Sequence, residues 1–250
     1  MTIRVGVIGA GPAGLLAAHG AIVAGAEATI FSPKKQSVIG GAQYLHRHIP
    51  GITSSDPDGQ LTFIKEGDPE TYAKKVYDDP FAPTSWGDYP AGTVDIWNMR
   101  AAYEHLWMRY EGLIRDQQLG PKDVVTLAIA FDRLFLAAPR AAFCTDADHS
   151  FYSQRVWITQ EEFTAPDSCI YNGKQNVPWY RASTIFGHSS AEYGHEVPVK
   201  SVCVNKPLRT DCDCLGELVV RVGRYGEWRK PVLIHHAYEK AYETVKALRA

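Results

Sequence analysis

The sequence predicts an α/β protein with a parallel central sheet and a small α+β region inserted into it. Three observations predict this. An apolar, β-branched run at Arg4–Ile8 opens directly onto glycines, as a buried parallel strand does. An Ala- and Leu-rich stretch, Ala13–Ala24, follows with helical composition. A second β-rich run, Glu27–Phe31, then completes a strand–helix–strand unit; the whole occupies about thirty residues, the size of a βαβ unit.

Further along, Ser32–Pro90 scatters Pro, Gly, Asp and aromatic residues with little periodicity. It reads as loops and short elements wrapping over a ligand, because long structureless stretches in compact domains tend to be functional. Val94–Asp116 reads as a helix, with Trp97, Ala101, Leu106, Tyr110 and Leu113 near helical spacing. Phe131–Ala138 reads as an apolar strand stopped by Pro139. Gln154–Thr159 and Asp167–Tyr171 read as strands of a second sheet, and Glu217–Val222 as another strand. Tyr238–Leu248 reads as a closing helix, with Ala237, Tyr238, Ala241 and Val245 making its apolar side. The expected organisation is a discontinuous nucleotide-binding domain (1–50, 120–145 and 217–250) with a cap or substrate region from 51–119 and 146–216.

Composition fits a globular chain. Of its 250 residues, 45% are hydrophobic and 22% charged, so a sizeable core can form. The net charge of −2 gives no bulk basic character, and nucleic acid is not supported as a partner. No stretch reads as a secretory signal or membrane span. Five irregularly spaced cysteines do not form a disulfide framework, and a cytoplasmic location is expected. Expected partners are a small-molecule substrate and a further copy of the chain, not a membrane.

Gly9-Ala10-Gly11-Pro12-Ala13-Gly14 matches GxGxxG, immediately after the first strand. Gly9 allows the sharp exit from the strand, Gly11 lets backbone approach a pyrophosphate, and Gly14 lets helix and strand pack closely. The helix N-terminus, with Pro12 in its first turn, then offers N–H groups and a positive dipole to phosphates. These features define a Rossmann-like, dinucleotide-binding domain. An acidic ribose ligand is expected at the end of the second strand, and Ser32 stands there instead. Lys34 and Lys35 follow; they are either solvated or placed to meet a 2′-phosphate, which would favour NADP.

With VGVIGAGPAGLLAA, EATIFS and the later IGG in view, the N-terminal part resembles the FAD-binding domain of glutathione-reductase-type flavoproteins. The resemblance implies FAD as cofactor, with Gly40-Gly41 lying along it; NAD(P) is the alternative. Phe131–Cys144 (FDRLFLAAPRAAFC) resembles the segment of amine-oxidase-like and UDP-galactopyranose-mutase-like flavoproteins that returns to the FAD domain before the substrate domain begins. Val222–Val245 resembles their last FAD motif, in which a Gly-Arg turn meets flavin and pyrophosphate; Gly223 and Arg224 occupy it here. Such enzymes are usually longer, so any cap domain must be small.

Flavin carries the redox chemistry while the protein orients and excludes water. Gly40–His48 is the densest candidate stretch. Gln43 is placed to bond flavin edges, and His46 or His48 to carry a proton, or these are surface loop histidines. In Pro178–Ser183, Trp179 and Tyr180 can wall a flat substrate and Arg181 can bind an anion; equally, this is a core strand with an Arg181–Glu192 ion pair. Arg224 suits a pyrophosphate or substrate anion, or is a hairpin arginine, with Tyr225 and Trp228 near it. His235 and His236 precede the last helix and either donate to the flavin edge or cap that helix. Cys203, Cys212 and Cys214 lie close in sequence, but CxC with one distant cysteine and no clear fourth ligand is a weak zinc pattern, and no metal site is expected. There is no redox CxxC, GxSxG, P-loop or HExxH.

The expectation is therefore an FAD-dependent oxidoreductase that oxidises an amine or alcohol by hydride transfer to flavin N5. The alternatives are a flavin-dependent isomerase resembling UDP-galactopyranose mutase, and a non-catalytic FAD- or NAD(P)-binding protein.

Overall fold

The computed structural model describes residues 2–33, 35–40, 43–77, 85–161 and 164–249. The chain divides into two compact units. Unit 1 comprises residues 1–38, 101–153 and 207–250, and unit 2 comprises 39–100 and 154–206. The expected boundaries at 50, 119, 145 and 216 thus lie up to about twenty residues from the observed ones. The largest gap arises because residues 101–116 belong to the parallel-sheet unit.

The elements follow in chain order. They are β1 (Arg4–Ile8), α1 (Pro12–Val23), β2 (Glu27–Ser32), β3 (Tyr44–Leu45), β4 (Gly59–Gly67), α2 (Pro69–Tyr77) and β5 (Gly92–Asn98). Then come α3 (Met99–Tyr110), β6 (Ile114–Asp116), α4 (Pro121–Ala130), β7 (Arg133–Leu136), β8 (Phe151–Thr159) and β9 (Ser168–Gly173). Last are β10 (Arg181–Ile185), β11 (His188–Tyr193), β12 (Ser201–Thr210), β13 (Val219–Arg221), α5 (Gly223–Glu227) and α6 (His236–Arg249).

Unit 1 is the parallel α/β unit. Its five-stranded sheet runs β13-β7-β1-β2-β6, with every neighbouring pair parallel. Numbered within that sheet, the order is fifth, fourth, first, second, third. The direction of winding therefore reverses between β1 and β7, and in such sheets ligands bind beyond the strand C-termini at that reversal. Val5, Val7 and Ile8 of β1 are buried, as a central parallel strand covered on both faces requires. Helix α1 is apolar apart from the buried His19, and it buries Leu15, Leu16, Ala17, Ala18 and Ala21. It packs on α6 at Gly20, where a Cβ would come 2.3 Å from the Tyr238 carbonyl oxygen. Its C-terminus turns through Gly25 at φ +92°, and Arg249 donates to the Ala24 carbonyl at 3.0 Å, a cation at the negative end of a helix.

Unit 2 is built on an eight-stranded sheet ordered β12-β8-β11-β10-β9-β4-β5-β3. Of the pairings described, all are antiparallel except that of β4 with β9, which is parallel. Its core is rich in aromatics: Phe63, Tyr72, Tyr89, Tyr171 and Tyr180 pack with Leu61, Ile96 and Val156.

The expected helix at Val94–Asp116 is in fact β5, then α3, then β6. Within β5 the exposed Asp95 precedes the buried Ile96. β5 also pairs antiparallel with β4, and that tertiary pairing overrides the helical spacing of Trp97. The stretch expected to be loops contains the nine-residue strand β4 and helix α2. The β4 alternation, with Leu61 and Phe63 buried and Thr62 exposed, is a half-buried strand pattern hidden among turn residues. Helix α4, just before β7, is an element the sequence reading does not contain; Gly120 and Pro121 start it, and Asp123 Oδ2 accepts from the Gly120 N–H at 2.7 Å. Among the described residues no helix is long and apolar enough to cross a membrane.

Candidate functional site

The C-terminal end of β1 delivers the glycine turn to the reversal point of the unit 1 sheet. Gly9 adopts φ +105°, which a side chain would strain, and a Cβ there would meet the Ala138 nitrogen at 3.0 Å. Gly14 is packed so closely on the turn that a Cβ would lie 1.8 Å from the Gly9 carbonyl oxygen. Gly11 differs: a Cβ there would meet only the Ser37 hydroxyl, at 3.7 Å. Two of the glycines are therefore demanded by packing, while at the middle one a Cβ would make only an ordinary van der Waals contact.

Gly11 is the N-cap of α1, with no side-chain capping bond and no acidic residue in the first turn. The first intrahelical bond runs from Leu15 N–H to the Gly11 carbonyl at 3.0 Å. Pro12 carries no N–H, so the first-turn amides of Ala13 and Gly14 are those the helix itself cannot satisfy. The positive end of the dipole thus reaches the opening beside Gly11 without an internal carboxylate to offset it.

Two further segments of unit 1 fix this turn. Buried Tyr103 of α3 donates to the Ala10 carbonyl at 3.1 Å and accepts from the Ser37 N–H at 2.9 Å. Gly223, at φ +68° after β13, comes so near α1 that a Cβ would lie 2.4 Å from the Ala13 Cβ. The first and last motifs singled out in the sequence are thereby neighbours. Arg224 Nε donates to the Pro207 carbonyl at 3.0 Å, so that guanidinium is tied to main chain. His235 is buried, and its carbonyl accepts from the N–H groups of Tyr238 and Glu239 as α6 begins.

Ser32 ends β2, half-buried, and its carbonyl accepts from Gln117 N–H at 3.3 Å. Asp116 stands in register beside it on β6. A carboxylate therefore sits at the sheet edge where β2 supplies only a hydroxyl. Sequence reading misses it because the helical spacing of Val94–Asp116 hides the short strand at its end.

In unit 2, Gly40 is half-buried, and a Cβ there would meet Ile158 at 3.7 Å. Gln43 folds back, its Nε2 donating to the Gly40 carbonyl at 2.9 Å. His46 is half-buried, with its ring 4.5 Å from that of Tyr44; His48 is exposed, 6.4 Å from Trp97. Gly41, Ala42 and Lys34 lie outside the described residues.

Tyr180 and Arg181 belong to an ionic cluster in the unit 2 sheet. Arg181 lies opposite Glu192 across the β10–β11 pair, and its Nη2 contacts Glu192 Oε1. Glu192 Oε2 accepts from Tyr180 Oη at 2.9 Å and from Lys206 Nζ at 2.6 Å. Burial alone would raise the Glu192 carboxyl; the Arg181 guanidinium and Lys206 ammonium overcome it and hold the group at about 2. Cys203 is exposed on β12, on the unit 2 part of that strand, whereas Cys212 and Cys214 lie in unit 1.

No family model and no curated protein matches the sequence. Solved structures do share the fold. The chain is similar to a flavoprotein/dehydrogenase from Cytophaga hutchinsonii, with a TM-score of 0.52 and 12% identity over 98% of this chain and 77% of that one. It is also similar to a variant of 2-methyl-3-hydroxypyridine-5-carboxylic acid oxygenase, with a TM-score of 0.53 and 13% identity over 100% and 83% of the two chains. At such identities the likeness establishes the fold.

Proposed function

We propose that the chain is an FAD-dependent oxidoreductase acting on a small molecule, with unit 1 holding the cofactor. The observation that carries this reading is the contrast among the three glycines. Gly9 and Gly14 have structural reasons to lack side chains, but Gly11 has none in the protein itself. A diphosphate against the amides of Ala13 and Gly14 supplies the missing reason. The resemblance to solved structures described as a flavoprotein and an oxygenase supports FAD over a nicotinamide.

FAD, when bound, supplies a two-electron acceptor at its flavin ring. The protein's part is to bind and orient. Ala13 and Gly14 would donate N–H groups to the diphosphate, Gly11 would leave room for it, and Ser32 with Asp116 would accept from the ribose hydroxyls. Unit 2 supplies the substrate region, with His46 and His48 as its proton carriers. The contacts of Tyr180 and Arg181 with Glu192 favour the ion-pair reading of those two residues.

Two substrate classes follow. The sequence reading is oxidation of an amine or alcohol by hydride transfer. The oxygenase likeness favours, as a second reading, hydroxylation of a small aromatic ring.

The test is the visible spectrum of freshly purified protein and of Gly11→Leu. Flavin bands in the parent, lost in the variant while the circular dichroism is unchanged, are expected. A colourless protein that also fails to quench added FAD overturns the reading. Anaerobic bleaching then separates the two classes: an amine or alcohol substrate alone reduces the flavin in the first, and only NAD(P)H does so in the second.

A further inference from the structure

Four side chains with metal-ligating atoms converge in unit 1, away from the glycine turn in sequence. Cys144 and His149 follow β7, on the limb by which the chain leaves unit 1 after residue 153. Cys212 and Cys214 lie between β12 and β13, on the limb by which it returns from residue 207. Their ligand atoms all lie within 4.8 Å of one another. Cys144 Sγ is 3.5 Å from Cys212 Sγ and 3.6 Å from Cys214 Sγ. His149 Nδ1 is 3.4 Å from Cys144 Sγ and 3.3 Å from Cys214 Sγ.

These separations have a geometric meaning. With Zn–S near 2.3 Å and Zn–N near 2.05 Å, the edges of a tetrahedral site are ~3.8 Å between sulfurs and ~3.6 Å between sulfur and nitrogen. The four measured edges fall within ~0.3 Å of those values. A disulfide needs its sulfurs ~2.05 Å apart, far closer than any pair measured here. The ligand set, three cysteines and one histidine, is one that structural zinc sites use.

The surroundings agree. With His149 Nδ1 turned toward the sulfurs, its Nε2 faces two carboxylates, Asp146 Oδ2 at 3.7 Å and Asp213 Oδ1 at 3.9 Å. Carboxylates in that position orient a ligating imidazole and raise its basicity. Arg140 is buried, and Arg221 feels it as a like charge. Among the described residues, neither Arg140 Nε nor Arg221 Nε and Nη2 has a hydrogen-bond partner. Three thiolates and one neutral imidazole around a divalent cation leave one net negative charge.

We propose that Cys144, His149, Cys212 and Cys214 bind one zinc ion in a closed, four-ligand structural site that staples the outgoing and returning limbs of the chain. On binding, each thiol gives its proton to solvent as an S–Zn bond forms, and neutral His149 binds through Nδ1. No coordination position is left for a substrate. The effect is to close a loop of chain between Cys144 and Cys212, 68 positions apart, whose closure otherwise costs entropy. The sequence pattern conceals the site because Cys203, the nearest cysteine to the CxC pair, is not a ligand; Cys144 and His149 are brought in from before the second segment of unit 2.

The experiment uses the full chain, purified without a chelating resin. Metal content is measured by mass spectrometry of the elements, separately from flavin content. About one zinc per chain is expected. After removal of zinc with a chelator, added Co²⁺ should give visible d–d bands of tetrahedral intensity and a thiolate charge-transfer band, read as a difference spectrum against the flavin. Cys203→Ser should leave both readouts unchanged, and His149→Ala should lower Co²⁺ affinity at least tenfold. Folded parent protein, expressed with zinc supplied, that carries no metal and yields no cobalt bands overturns the proposal. So does a disulfide between Cys144 and Cys212 or Cys214 in the freshly isolated chain. Because the cobalt spectrum is read on the parent chain, a variant that fails to fold does not weaken the test.

Discussion

The Tyr103 hydroxyl lies 3.1 Å from the Ala10 carbonyl oxygen, to which it donates, inside the glycine turn. The hydroxyl oxygen in turn accepts from the Ser37 N–H at 2.9 Å. One phenol from α3 thus ties the turn after β1 to the segment after β2, the two pieces of backbone that flank Gly11.

Tyr103→Phe removes both bonds and leaves the ring in place. The cost is about 1 kcal/mol for each bond, about 2 kcal/mol together, so FAD is expected to be released up to about thirtyfold faster, with a modest fall in the urea midpoint. Fluorescence recovery of released flavin and urea unfolding check this. Unchanged release would mean that the phenol does not hold the turn.

The glycines should separate by role. Gly14→Ala places a Cβ 1.8 Å from the Gly9 carbonyl oxygen, and Gly223→Ala places one 2.4 Å from the Ala13 Cβ at φ +68°. Both should destabilise the fold by about 2–4 kcal/mol, the range of overpacking and strained backbone. Gly112→Ala, with nothing within 4 Å of its Cβ, is the control; its cost should stay under about 0.5 kcal/mol. Thermal unfolding of the three variants measures the contrast.

Glu192 is held at about 2, below its ordinary 4.5. A carboxyl whose folded value is depressed stabilises the fold fully above its unfolded value, and this is lost as pH falls toward the folded one. The window is therefore from about pH 4.5 down to about pH 2, and the contribution at neutral pH is about 3 kcal/mol. Glu192→Gln leaves Arg181 and Lys206 facing each other without a counter-charge. It should lower the melting temperature clearly at pH 7, and the gap to the parent should shrink below pH 4. A gap that does not change with pH would show that packing, not charge, is what the substitution removes.

Asp116 lies in register with Ser32 at the edge where the adenine ribose is proposed to bind. Asp116→Asn keeps the shape and removes the charge. Since hydrogen bonds to a charged acceptor are worth about 1.5–3 kcal/mol, FAD affinity should fall at least tenfold, with little change in thermal stability of the FAD-free protein. Titration of that protein, followed by flavin fluorescence quenching, decides it.

Local features are legible from the residues alone. β1, α1, β2 and α6 can be read within about two residues at each end, because each is set by a local pattern: short β-rich runs for β1 and β2, an Ala- and Leu-rich stretch for α1, and the i, i+4 spacing of Ala237, Ala241 and Val245 for α6. Gly9, Gly11 and Gly14 are legible because the GxGxxG spacing after an apolar strand marks the turn that needs them. Long-range contacts decide the rest. β5 is a strand because β4 pairs with it, although Trp97 has helical spacing with Ala101. Asp116 becomes a ribose candidate only when β6 falls beside β2. Cys144 and His149 reach Cys212 and Cys214 only because the chain leaves unit 1 and returns to it. Backbone propensity and steric demand act over a few residues and can be read along the chain. Pairing of strands and convergence of ligands depend on contacts between distant segments, and those are fixed when the core assembles.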